Sequence, residues 1–156
     1  MPLSRPAIVF DLDGTLVDSA PDLCNALNWV LEQENRPKVS LCDVRHMVGH
    51  GARRLIELGL TAGGHTPAPE EIDAHVEIFL VHYRANISAE TRLFPGALNA
   101  LNALTAQGAV LGIYTNKPAD LSAQLLGDLG VASLFQAIVG GRTLPVQKPD
   151  PEHLLE

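Results

Sequence analysis

Four consecutive apolar residues, Ala7-Ile8-Val9-Phe10, run directly into Asp11-Leu12-Asp13-Gly14. A short run of β-forming residues without polar alternation predicts a buried central strand of a parallel sheet, and ligands of such sheets collect at the carboxyl ends of the strands. Asp11 and Asp13 stand at that end. An extended backbone through residue 13 would aim both carboxylates the same way, and Gly14 permits a sharp turn behind them.

The pattern then becomes helical. Leu23, Ala26, Leu27, Val30 and Leu31 recur at helical spacing behind a capping candidate, Asp18 or Ser19, and Asn35-Arg36-Pro37 ends the run. Ser40 with Asp43 three residues on resembles a weak capping box opening a short helix, which Gly49-His50-Gly51 interrupts before another helix runs to about Leu60. Residues 61–69 read as a loop, and Ile72, Val76, Phe79, Leu80, Tyr83 and Ile87 lay down a long amphipathic stripe. Residues 16–90 therefore read as wholly helical. Beyond them strand and helix alternate. Pro95 opens a helix carrying Leu98, Leu101 and Leu104, and Gly108 stops it. Val110 to Tyr114 forms an apolar strand ending at Thr115-Asn116-Lys117. Pro118 opens a helix carrying Leu121, Leu125 and Leu126, and Ala137-Ile138-Val139 makes a third strand before Lys148-Pro149-Asp150-Pro151.

Composition narrows the possibilities. The 156 residues are 46% hydrophobic, enough for a buried core, and the formal charge of -7 argues against nucleic-acid or anionic-membrane partners. No apolar run is long enough for a membrane span or a secretion signal. Cys24 and Cys42 lack zinc or disulfide-framework spacing, so a reducing, cytoplasmic setting is expected.

The three polar clusters all fall where strands end. Asp11 could attack phosphorus as a carboxylate nucleophile, with Asp13 giving a proton to the leaving oxygen and later taking one from water. Thr115 offers a hydroxyl to a phosphoryl oxygen, and Lys148 a positive charge for the crowded anions. Two carboxylates this close call for a cation, and Mg2+ suits a shell completed by phosphate. Taken singly, Thr115 would be a helix cap and Lys148 a solvated lysine; only their joint placement points to a site. An EF-hand is excluded because Gly14 falls too early in the loop, and Gly49-His50-Gly51-Ala52-Arg53-Arg54 lacks the last glycine of a dinucleotide fingerprint. His46, His65, His75, His82 and His153 show no ligand spacing, and Trp29 is expected to pack within the helices.

Asp11-Leu12-Asp13-Gly14-Thr15-Leu16-Val17, Thr115-Asn116-Lys117 and Lys148-Pro149-Asp150-Pro151 resemble, in order and spacing, three signature motifs of the haloacid dehalogenase-like hydrolases. The helical insert resembles the cap of the phosphoglycolate phosphatase-like branch. The resemblance implies an α/β fold: a split Rossmann-like core of about three parallel strands (residues 1–15 and 91–156) with an inserted all-helical cap (16–90). It implies Asp11 as nucleophile, Asp13 as general acid/base, Thr115 and Asn116 as phosphate ligands and Lys148 as the charge-stabilising lysine. Mg2+ would be held by the Asp11 carboxylate and the Asp13 carbonyl, and Gly49, His50, Gly51 and Arg53 of the cap would face a small phosphorylated metabolite, 2-phosphoglycolate by preference. Sugar-phosphate phosphatase and phosphoglucomutase-like activities are the alternatives within the family, and an inactive fragment or interaction module the alternative outside it. The family's fourth motif, an acidic segment completing the Mg2+ shell, does not follow before Glu156. The expectation is a truncated chain with weak metal binding and with residues 8–10 as an open sheet edge that invites association.

Overall fold

The computed structural model describes residues 5–141 and 148–150. They form two compact units, one built from the segments up to Asp18 and from Arg92, the other from Ser19–Thr91.

The first unit is an α/β sheet structure. Strands β1 (Ala7–Phe10), β4 (Val110–Pro118) and β5 (Phe135–Gly141) make a parallel sheet in the order β1-β4-β5. Ala7 pairs with Val110 and Phe10 with Ile113 in one ladder, and Ile113 pairs with Ile138 in the other. Helices α5 (Ala97–Ala106) and α6 (Ala119–Asp128) supply the crossovers, with Leu101, Leu121, Leu125 and Leu126 buried beside Leu111 and Ile113. A two-residue antiparallel ladder, β2 (Val17–Asp18) with β3 (Arg92–Leu93), closes the unit where its two chain segments meet. This ladder corrects the expectation of helix from residue 16: the turn after Gly14 returns the chain into a short strand before any helix begins.

Three further expectations need revision. The strand β1 is not at the centre that its apolar run alone predicts but at the edge expected for residues 8–10 from the family resemblance: among the described residues it pairs only with β4, and Val9 is 53% exposed. The strand β4 does not stop at Tyr114 but continues through Thr115-Asn116-Lys117 to Pro118, which ends the strand and precedes α6. Pro95 does not open α5, which is preceded by Gly96 in the left-handed region at φ 86; Leu101 alone of its three leucines is buried, and Leu98 is 43% exposed.

The second unit is all helical: α1 (Ala20–Gln33), α2 (Leu41–Met47), α3 (Ala52–Thr61) and α4 (Pro69–Ala85). Ser40 caps α2 as its spacing predicts, accepting from the Asp43 amide at 3.1 Å and donating to the Asp43 carboxylate at 2.7 Å. Leu27, Val30 and Leu31 of α1, Ile56 and Leu60 of α3, and Phe79 and Tyr83 of α4 form its core. Gly59 lets α3 approach α1 closely, since a Cβ there would lie 2.7 Å from Leu27 Cδ1. No helix among the described residues is long and apolar enough to cross a membrane.

Candidate active site

The turn behind β1 is set by Gly14, which sits at φ 79 and donates to the Val17 carbonyl at 2.9 Å, while the amides of Thr15, Leu16 and Val17 all point at the Leu12 carbonyl. This tight return holds Asp11 and Asp13 at the carboxyl end of the sheet, and Leu12 between them is fully buried. The Leu12 amide donates to Asp11 Oδ1 at 2.8 Å and fixes the first carboxylate against its own backbone.

Each carboxylate receives its own ammonium. Lys148 Nζ lies 3.0 Å from Asp11 Oδ1, and Lys117 Nζ lies 3.0 and 3.2 Å from the two oxygens of Asp13. The continuation of β4 explains the division. The register of β4 against β5 is irregular between Tyr114 and Pro118, and the polar groups of this segment act as two pairs, Tyr114 with Asn116 and Thr115 with Lys117. The first pair secures Lys148. Its Nζ donates to the Tyr114 carbonyl at 3.0 Å and stands 5.0 Å above the Tyr114 ring, while its backbone N–H donates to Asn116 Oδ1 at 2.9 Å and its carbonyl accepts from Asn116 Nδ2 at 3.4 Å. The second pair serves Asp13: Lys117 spans to it, and the Lys117 amide donates to Thr115 Oγ1 at 3.2 Å, leaving the threonine hydroxyl hydrogen to donate elsewhere.

Burial separates the two ion pairs. Asp13 and Lys117 side chains are 9% and 4% exposed; Asp11 and Lys148 are 32% and 23% exposed. The inner pair is shielded from water and strong in attraction, whereas the outer pair remains open to an incoming anion. Asp11, Asp13, Thr115, Asn116 and Lys148 are thus brought together at one sheet end, as the strand-end placement of their motifs predicts. Lys117 is the member that sequence reasoning left without a role. Its reach to Asp13 depends on the irregular end of β4, which no local signal in the sequence reports.

Gly49, His50, Gly51 and Arg53 belong to the helical unit. Gly49 and Gly51 have φ of 91 and 86 and shape the turn into α3, the His50 amide donates to the Met47 carbonyl at 3.2 Å, and Arg53 is ion-paired with Asp73. The strand β5 reaches the site through Gly140, where an added Cβ would lie 2.5 Å from the Ala119 amide nitrogen and 2.7 Å from the Lys117 carbonyl. Only glycine lets β5 lie against the end of β4 at that point.

The donor atoms suit Mg2+ in kind, being hard oxygens with one carboxylate accessible. They fall short in number, since no group of three His, Cys, Asp or Glu side chains among the described residues could hold a metal ion.

The family model for haloacid dehalogenase-like hydrolases matches residues 8–156. A phosphoglycolate phosphatase of Caulobacter vibrioides is 44% identical over 152 residues, covering 97% of this chain and 64% of that protein. One from Agrobacterium fabrum is 43% identical over 155 residues, covering 99% and 66%. A crystal structure described as a predicted phosphoglycolate phosphatase from Haemophilus somnus superposes with a TM-score of 0.85 at 33% identity, over 97% of this chain and 69% of that one. The chain thus spans about two thirds of the length of the relatives it matches. With the family model matching from the first strand onward and the lysine-paired aspartates at one sheet end, this chain belongs to the haloacid dehalogenase-like hydrolases.

Proposed function

We propose that this chain carries the catalytic centre of a Mg2+-dependent phosphomonoesterase, with 2-phosphoglycolate as its substrate. The carrying observation is the half-open Asp11–Lys148 pair beside the closed Asp13–Lys117 pair. The phosphoglycolate phosphatases at 42–44% identity support the substrate assignment.

Asp11, the more exposed carboxylate, attacks phosphorus; its oxygen forms the new bond as the bond from phosphorus to the alcohol oxygen breaks. Asp13 in its acid form gives the leaving alkoxide a proton, and Lys117 then stabilises the anion that Asp13 has become. In the second half-reaction Asp13 takes a proton from water as that water attacks phosphorus and releases the Asp11 carboxylate. Lys148, freed from Asp11 by the acylphosphate bond, turns its charge to the phosphoryl oxygens, while Thr115 donates its hydroxyl hydrogen to one of them and Asn116 holds the Lys148 backbone. Proteins of this family are generally Mg2+-dependent; the Asp11 carboxylate and the Asp13 carbonyl would hold the ion, which when bound screens the charge between nucleophile and phosphate. Gly49, His50, Gly51 and Arg53 are proposed to contribute to substrate selection. Both cysteines are free, which supports a cytoplasmic setting.

The test is Mg2+-dependent release of inorganic phosphate from 2-phosphoglycolate, hexose phosphates and β-glucose 1-phosphate. It is run on this chain and on one extended by the C-terminal third of the Caulobacter relative. Preference for 2-phosphoglycolate in either form supports the assignment. Preference for a sugar phosphate, or isomer formation without phosphate, replaces the substrate. No turnover in either form, with both folded, overturns the enzyme reading in favour of an interaction module.

A further inference from the structure

The helix α4 has two apolar stripes. One, formed by Ile72, Val76, Phe79 and Tyr83, is buried in the helical unit. The other, Ala74, Ile78, Val81 and Ala85, lies on the solvent side at spacings of four, three and four, the repeat of a coiled-coil seam. Ile78 is 47% exposed and Val81 72%, the latter being the most exposed large apolar side chain among the described residues. Trp29 of α1, itself 37% exposed, stacks on His82 at 4.1 Å between ring centroids with planes 11° apart, and so walls one side of the stripe. The result is a shallow apolar depression of about 510 Å3 lined by Trp29, Glu77, Ile78, Val81, His82 and Ala85. Four apolar side chains in register on a surface helix are not needed for the fold of the unit that carries them, and contiguous exposed patches of this kind mark interaction sites.

Charge selects the occupant. One flank of that stripe carries Glu70 and Glu77 in the N-terminal half of α4 and Arg84 in its C-terminal half, while Asp73 is already paired with Arg53. A second copy of the same helix laid antiparallel places the acidic half of each against the basic half of the other, and a parallel arrangement would set like against like. The apolar positions match under the same two-fold operation. Ile78 faces Val81 of the other copy, Ala74 faces Ala85 at both ends so that the backbones can approach, and Glu77 shares a flank of the seam with Arg84 of the other copy. An isologous interface requires this self-complementarity. We propose that the outer face of α4, with Trp29 as its wall, is a homodimer interface in which α4 packs antiparallel on α4 of a second copy of this chain.

A single helix pair with one aromatic wall is a small interface, so the dimer should be of about micromolar strength. Sedimentation equilibrium of the chain from about 1 to 200 µM should show mass rising from one chain toward two. Val81→Asp, at a position whose exposure makes it harmless to the fold, should weaken association about tenfold or more with unchanged circular dichroism. Glu77→Arg should weaken it less, and adding Arg84→Glu to that variant should restore it. A chain that stays monomeric throughout overturns the proposal. So does a dimer that Val81→Asp leaves intact and Val9→Lys dissolves, because the open edge of β1 would then be the interface. Failure of the charge swap to recover association lost in Glu77→Arg would overturn the antiparallel pairing.

Discussion

Each unit of this molecule buries the side chain of an aspartate, Asp22 at the start of α1 and Asp13 in the turn after β1, and the two are held in opposite ways. Asp22, in the first turn of α1, is 1% exposed and, among the described residues, accepts from the segment that ends the helical unit. The Glu90 amide donates to its oxygens at 3.0 and 2.9 Å, the Thr91 amide at 2.7 Å and the Thr91 hydroxyl at 2.8 Å. Asp13, in the sheet unit, is held by the side chain of Lys117. Backbone amides cannot move away without breaking the fold, so Asp22 is a staple joining the two ends of the helical unit. A lysine on a flexible stem is a partner that a reaction can exchange. On the proposed mechanism, the kind of donor, rather than burial, distinguishes a structural carboxylate from a reactive one.

Substitutions at the two places should separate activity from stability. Asp11→Asn in the active form should lower phosphate release by about a thousandfold or more, since an amide is nearly isosteric with the carboxylate but is no nucleophile. Its urea midpoint should stay close to that of the parent, and turnover within tenfold of the parent would remove Asp11 from its role. Asp22→Ala should do the reverse, leaving buried N–H groups of Glu90 and Thr91 without acceptors at a cost of about 3 kcal/mol. The helical signal should then be lost at lower urea, whereas an unchanged midpoint would show that the staple contributes nothing.

Gly140→Ala tests the ground between these cases, because the added methyl must displace backbone at Ala119 and Lys117. A destabilisation of about 2 kcal/mol is expected, with a fall in activity beyond what unfolding explains, because the strand carrying Lys117 must shift. Equal losses in stability and activity would mean that the site tolerates that shift.

The smallest effect concerns an exposed carboxylate of the helical unit. The hydrogen bond from His65 holds Glu71 below the usual glutamate range, with Arg36 adding attraction at 3.0 Å. A lowered folded pKa contributes stability that is present above the unfolded value and lost as pH falls through the folded one. Glu71→Gln should therefore melt slightly below the parent at neutral pH, and the two curves should converge in acid. A gap that widens in acid would contradict that sign.

Much of this was legible in the chain. The apolar run into Asp11 and Asp13, the helical spacings of α1 to α4, the glycine stops and the cap at Ser40 are local features, and local sequence reports them directly. The placement of Thr115 and Lys148 beside the aspartates was also legible, because parallel strands bring their carboxyl ends together whatever the intervening sequence. What the sequence could not decide was anything that depends on neighbours. An apolar strand reads alike at the centre or the edge of a sheet, so the composition of β1 alone predicts burial, and only the family resemblance put residues 8–10 at the edge where Val9 is exposed. The polar triplet Thr115-Asn116-Lys117 looked like a strand end because its partners, Asp13 and the Lys148 backbone, are remote in sequence. Asp22 sits in the first turn of α1, and nothing local to it marks the remote amides of Glu90 and Thr91 as its partners. On α4 the stripe of Ile72, Val76, Phe79 and Tyr83 turns inward as its spacing predicts, whereas Ala74, Ile78, Val81 and Ala85 satisfy the same period and only packing against α1 and α3 leaves them on the solvent side.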